Sequence, residues 1–235
     1  MSIVRAEMLE KVYQTQAEQV HALQKIDFEI NKGDFIIING PSGSGKTTLL
    51  NLLSGLDQPT KGNLLLNDQP IGLFNDSKRT ELRRDQIGLI FQSFELIPVL
   101  TAAENVEYPL ILQKIKRGER KRRVEAILDL VELAGLAGRL PAQLSGGQKQ
   151  RVAVARALVT QPKLVLADEP TANLDSETGL KIIELMMALN RKYEVAFVIV
   201  THDLSLNKYA QQIFQIKDGI LSSKGVNDRV QDCLA

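Results

Sequence analysis

Gly40-Pro41-Ser42-Gly43-Ser44-Gly45-Lys46-Thr47-Thr48 follows the apolar run Phe35-Ile36-Ile37-Ile38 and leads into Leu49, Leu50, Leu52 and Leu53. Strand, glycine loop and helix in this order are what a phosphate-binding loop requires. The glycines let successive backbone N–H groups converge on phosphate oxygens, and the helix N-terminus behind them adds its partial positive charge. Lys46 is placed to reach the β- and γ-phosphates, and Thr47 to offer a hydroxyl to Mg²⁺. A bland surface loop can also be glycine-rich, but it lacks this spacing between a β-branched strand and an apolar helix.

Working outward, the 235 residues are long for one domain and short for two, so one α/β domain with a smaller attached subdomain is expected. With 29 basic and 28 acidic residues the net charge is +1, and no long-range field argues for nucleic acid. The single cysteine, Cys233, excludes an internal disulfide and reads as an ordinary residue of a terminal helix from Val226 to Leu234. No apolar stretch approaches the ~20 residues of a membrane span. The expectation is a soluble, cytoplasmic protein whose membrane role comes through a partner.

Residues from about 3 to 39 alternate apolar and polar positions, which predicts an N-terminal antiparallel sheet. Tyr13 within it reads from position alone as a core aromatic. Gly62 to Asp68 reads as a short strand and turn, and Ser77 to Asp85 as a charged helix capped by Ser77. Ile87-Gly88-Leu89-Ile90-Phe91 is a buried strand ending at Gln92, which is equally a plain loop residue or a sensor of metal and γ-phosphate, since strand ends are where ligands bind in open α/β sheets. From Ala102 to about Thr160 the pattern is helical, and the basic run Lys114 to Arg123 reads as a solvated loop and helix start, or more sharply as a contact for anionic lipid.

Leu144-Ser145-Gly146-Gly147-Gln148 opens another helix, with Ser145 and Gln148 as a capping box. Paired glycines in a first helical turn are costly unless something approaches the backbone, and a helix N-terminus is a second anion site. One phosphate loop and two anion sites suggest that the second serves another copy's nucleotide. The strand Leu164 to Ala167 delivers Asp168, a Mg²⁺-holding carboxylate, and Glu169, a candidate to polarise water. A helix capped by Asp175 or Ser176 follows, with Met186 and Met187 as core filling; then the strand Val195 to Val200 ends at His202, better placed for a γ-phosphate than His21. Asp218-Gly219 signals a hairpin.

The phosphate loop, Gln92, Leu144-Ser145-Gly146-Gly147-Gln148, Asp168-Glu169, Asn173-Leu174-Asp175 and His202, in this order, resemble the nucleotide-binding subunits of ABC transporters over nearly the whole chain. The resemblance implies a single ABC ATPase domain over 1–235. Its fold class is α/β: a P-loop NTPase core with a mixed sheet, an N-terminal antiparallel β part and an inserted all-helical subdomain at about 93–160. It also implies a homodimer holding two ATP molecules head to tail, each between the phosphate loop, Gly40, Pro41, Ser42, Gly43, Ser44, Gly45, Lys46, Thr47 and Thr48, of one copy and Ser145, Gly146, Gly147, Gln148 and Asp175 of the other. Tyr13 is then an adenine platform, Gln92 a Mg²⁺ and coupling residue, Asp168 a further Mg²⁺ ligand, Glu169 the general base and His202 the γ-phosphate switch. A separate integral membrane permease would contact Phe94 to Leu100, placing the chain at the cytoplasmic face of the cell membrane, with no nucleic acid partner.

The stretches Phe91 to Val106 and Ala167 to Asp175 are similar to the lipoprotein-release and macrolide-export branch, with Ala172 where glycine often stands. Export or extraction of a lipid, lipoprotein or drug-like substrate is the expected task. The alternatives are a regulatory ATPase of the cell-division kind and a soluble ABC ATPase outside transport. Against the last, no second phosphate loop occurs and the span from Lys46 to Ser145 leaves no room for a coiled-coil or zinc insertion.

Overall fold

The computed structural model describes residues 2–14 and 18–226, and its elements follow the sequence periods. The alternating N-terminal stretch forms β1 (Ser2–Gln14) and β2 (Gln19–Asn31), the apolar run forms β3 (Phe35–Asn39), and the leucines after the glycine loop form α1 (Lys46–Leu53). Then come β4 (Lys61–Leu66), β5 (Gln69–Pro70), α2 (Asp76–Gln86), β6 (Ile87–Ile90), α3 (Ala102–Leu112), α4 (Arg117–Leu130) and α5 (Gly146–Leu158). The remainder is β7 (Leu164–Asp168), α6 (Ser176–Tyr193), β8 (Ala196–Thr201), β9 (Gln212–Lys217) and β10 (Ile220–Val226). The terminal helix expected around Cys233 lies outside the described residues.

Packing divides the chain into two units, Met1–Arg83 with Ala196–Ala235, and Arg84–Val195. In the first, β2, β1, β4 and β5 form an antiparallel sheet. A register shift between Ala6 and Leu9 accompanies left-handed Met8, φ 47°. β3 does not extend this sheet, as the single alternating stretch suggested; it pairs in parallel with β8 and β9, and β10 closes antiparallel on β9. The reason is visible in burial. In β2 only every other residue from Ile26 to Ile30 is buried, whereas Phe35, Ile36, Ile37 and Ile38 are all buried, as strands of parallel sheets are. Phe28 of β2 meets Phe214 of β9 edge-on at 5.1 Å, so aromatic packing joins the two sheets of this unit. The Asp218-Gly219 hairpin forms with φ values of 50° and 76°.

In the second unit β6 and β7 pair in parallel, from Ile87 opposite Leu164 to Ile90 opposite Ala167. α5 lies against β6, α3, α4 and α6. Its approach to β6 requires Gly88, where a Cβ would stand 2.5 Å from the Ala157 carbonyl oxygen. Buried Asn105 of α3 stitches the loop before it: Oδ1 accepts from Ile97 N at 2.8 Å, while Nδ2 donates to the Ile97, Leu100 and Thr101 carbonyls. The basic run becomes the start of α4, where Glu119 pairs with Arg122 and Arg123 and Glu107 with Arg120. The charged helix α2 begins at Asp76 rather than Ser77. Asn75 is its cap, accepting from Lys78 N at 2.9 Å, because an asparagine amide reaches that donor as well as a serine does. Met186 is buried as expected, while Met187 is only half-covered.

Candidate functional site

In the first unit the loop Gly40 to Thr48 runs from the end of β3 into α1. Gly43 and Gly45 take φ values of 78° and 106°, which L side chains avoid, and this alternation of hand turns successive N–H groups to one side. Close approach adds a second constraint. A Cβ on Gly45 would meet the Ala22 carbonyl at 2.5 Å, and one on Gly40 the Ile216 carbonyl at 2.4 Å. The loop is thus packed on β2 and β9 and held by Gly219 N to Ser44 O at 3.1 Å. Lys46 Nζ donates to the Gly40 and Pro41 carbonyls at 2.7 and 2.9 Å, so its ammonium lies over the loop. Ser44 Oγ is buried without a hydrogen-bond partner among the described residues. A helix N-terminus, a lysine and an unpaired hydroxyl fit an anion such as phosphate.

His202 follows β8 and is exposed; the loop is linked to that strand end through Gly40 N donating to Thr201 O at 3.3 Å. Tyr13, near the end of β1, is 37% exposed, which overturns the reading of it as a core aromatic. Its hydroxyl donates to Asp57 Oδ2 at 2.8 Å. Burial, followed by the bond to Asp57, pushes the phenol pKa up, while a hydrogen bond with the Thr48 hydroxyl opposes this.

In the second unit Ser145 caps α5, accepting from Gln148 N at 3.3 Å while Gln148 Oε1 accepts from Ser145 N at 2.9 Å. The glycines behind the cap have a reason in packing: Cβ atoms on Gly146 and Gly147 would lie 3.2 Å from Leu174 and 2.5 Å from the Thr178 methyl. The signature turn thus sits on the start of α6. Asp175 caps that helix, accepting from Thr178 N at 3.0 Å, and this bond holds its carboxyl below the usual range. Asp168 ends β7, and Glu169 follows with φ 45°, a left-handed conformation costing about 1–2 kcal/mol. Gln92 and Asn173 are tied by Asn173 Nδ2 to Gln92 O at 3.0 Å and by Gln92 Nε2 to Asn173 Oδ1 at 3.5 Å. Among the described residues no group of three or more histidines, cysteines or acids could hold a metal ion.

Sequence reasoning passed over three participants. Arg156 of α5 donates to the Phe94 and Glu95 carbonyls, clamping the loop after Gln92; burial lowers its pKa. Lys11 and Asp57 hold Tyr13. Only Lys11 carried a signal, standing two residues before Tyr13 and so on the same face of a strand.

The chain matches the family described as ABC transporter over residues 23–172. It is 47% identical over 203 residues to the ABC transporter ATP-binding protein YtrE of Bacillus subtilis, covering 86% of this chain and 88% of that one. It is 41% identical over 215 residues to the lipoprotein-releasing system ATP-binding protein LolD of Saccharophagus degradans, covering 92% and 94%. The ATP-binding cassette MJ0796 of Methanocaldococcus jannaschii, solved as a dimer in a post-hydrolysis state bound to ADP and Pi, superposes with a TM-score of 0.85 at 41% identity, over 95% of this chain and 100% of that one.

Proposed function

Because this chain belongs to the ABC transporter family, as one of its ATP-hydrolysing subunits, we propose that it energises a separate membrane permease that exports or extracts a lipid, lipoprotein or drug-like substrate. Among the described residues no helix is long and apolar enough to cross a membrane, which suits an ATPase that works at the cytoplasmic face of the cell membrane through its partner. The observation that carries the reading is the capped turn Ser145 to Gln148, a helix N-terminus whose two half-buried glycines pack on the start of α6 beside Asp175. It is an anion site of the kind a second copy's nucleotide would fill, and MJ0796 is a dimer bound to ADP and Pi.

Each unit has its own share of the chemistry. In the first, Gly40 to Thr48 cradles the triphosphate with Lys46 on its outer oxygens, Tyr13 carries the adenine, and His202 reads the γ-phosphate. In the second, Glu169 takes a proton from the attacking water, and Gln92 links nucleotide to partner. Thr47, Asp168 and Gln92 would hold Mg²⁺, which when bound neutralises phosphate charge. Residues 93–160 form the helical subdomain that meets the permease. Val99, within the contacting stretch Phe94 to Leu100, is 80% exposed, and Tyr108, Ile111 and Leu112 of α3 are exposed as well. The lipoprotein task rests on likeness to LolD.

The test is affinity capture of tagged Glu169→Gln protein from detergent-solubilised membranes with ATP and Mg²⁺, followed by mass spectrometry. A permease recovered with ATP and not with ADP supports the reading. Ribosomal or chromosomal partners alone would sink it, leaving the ATPase intact.

A further inference from the structure

Tyr13 stands in a network that phosphate binding does not require. Lys11 Nζ donates to Asp57 Oδ1 at 2.6 Å and to the Gln58 carbonyl at 2.8 Å, and it lies 4.8 Å from the centre of the Tyr13 ring. Asp57 takes the Tyr13 hydroxyl on its other oxygen at 2.8 Å. Asp57 is itself placed by α1, since its N–H donates to the Asn51 carbonyl at 3.1 Å. The next residues are sewn to β1 by Val12 N to Thr60 Oγ1 at 3.0 Å and Thr60 N to Glu10 O at 2.8 Å.

An ion pair on a surface usually contributes little to stability. Here, however, the Lys11 side chain is only 12% exposed, and one carboxylate serves both the ammonium and the phenol. The result is an aromatic ring fixed at its hydroxyl end, with a cation over it, in a residue that is still 37% exposed. A rotamer held before binding removes an ordering cost from the ligand's affinity.

We infer that Asp57 and Lys11 are positioning residues for nucleobase recognition: anchored to α1 through Asn51, they lock the Tyr13 ring at a fixed offset from the phosphate loop, so that base and triphosphate are bound as one rigid span. This rests on the proposed role of Tyr13 as the adenine platform. The lock acts on the base alone, so its loss weakens ATP while sparing a ligand without a base.

The experiment measures KM and kcat for ATP, and the affinities of ATP and inorganic tripolyphosphate, for Tyr13→Ala, Tyr13→Phe, Asp57→Ala and Lys11→Met. Asp57→Ala and Tyr13→Phe should each raise KM about five- to tenfold with kcat changed less than twofold, and leave tripolyphosphate affinity in place. Their combination should be no worse than Asp57→Ala alone, because Tyr13→Phe removes a contact that Asp57→Ala has already removed. A variant that merely damaged the fold would weaken both ligands. If Asp57→Ala does not fold, Tyr13→Phe and Lys11→Met make the same test. Loss of ATP affinity in Tyr13→Ala with none in the Asp57, Lys11 and Tyr13→Phe variants would overturn the positioning role and leave the platform standing. An unchanged KM in Tyr13→Ala would overturn the platform itself.

Discussion

Glu169 shows how much one residue is asked to do. It follows a buried strand, turns at once into left-handed backbone, and carries the carboxylate assigned to the attacking water. Glu169→Gln keeps shape and loses basicity, so steady-state phosphate release should fall by at least about a hundredfold while ATP binding persists. Brisk turnover would remove Glu169 from the role. Asp57 gives a prediction in pH. Burial tends to raise its carboxyl pKa, but hydrogen bonds from Lys11 and Tyr13 outweigh this and hold it below the usual range. The unfolded chain therefore binds the proton first, and what Asp57 contributes is full above about pH 4 and lost as the pH falls through its folded value. The gap in urea midpoint between the chain and Asp57→Asn should be open at pH 7 and close in acid; a gap independent of pH would contradict this. At this scale the sequence was legible where a tight loop demands glycine, as at Gly40, Gly43 and Gly45, whose close approach or left-handed backbone excludes a side chain. It was silent where a side chain acts across distance, as Arg156 does on the Phe94 and Glu95 carbonyls.

Among the elements, α5 joins signature turn to strand. Its N-terminus presents Gly146 and Gly147, and its far end passes so close to β6 that only glycine fits at position 88. Gly88→Ala should cost about 1–3 kcal/mol of stability by overpacking against backbone, read as a lower urea midpoint. No loss would mean that β6 and α5 can part freely. Asn105→Ala tests the loop after Gln92. It strips partners from Ile97, Leu100 and Thr101, and should cost about 2–3 kcal/mol and speed amide exchange at Ile97. Unchanged exchange there would show the loop held by other means. Helices and the parallel strands could be read from periodicity. The sheet to which β3 belongs could not, because an unbroken apolar run reveals two-sided burial and not its partners.

The whole molecule has a near-neutral charge and an ATPase family fold, and among the described residues no helix is long and apolar enough to cross a membrane. ATP can shift a population of open and closed dimers only by binding the closed form more tightly; in the proposed dimer, a site completed by a second copy's Ser145–Gln148 turn would supply that difference. The most direct measurement is the mass and nucleotide content of Glu169→Gln by light scattering after size exclusion, with ATP and with ADP. The account predicts two chains holding two ATP molecules, and single chains with ADP. Single chains saturated with ATP would contradict it.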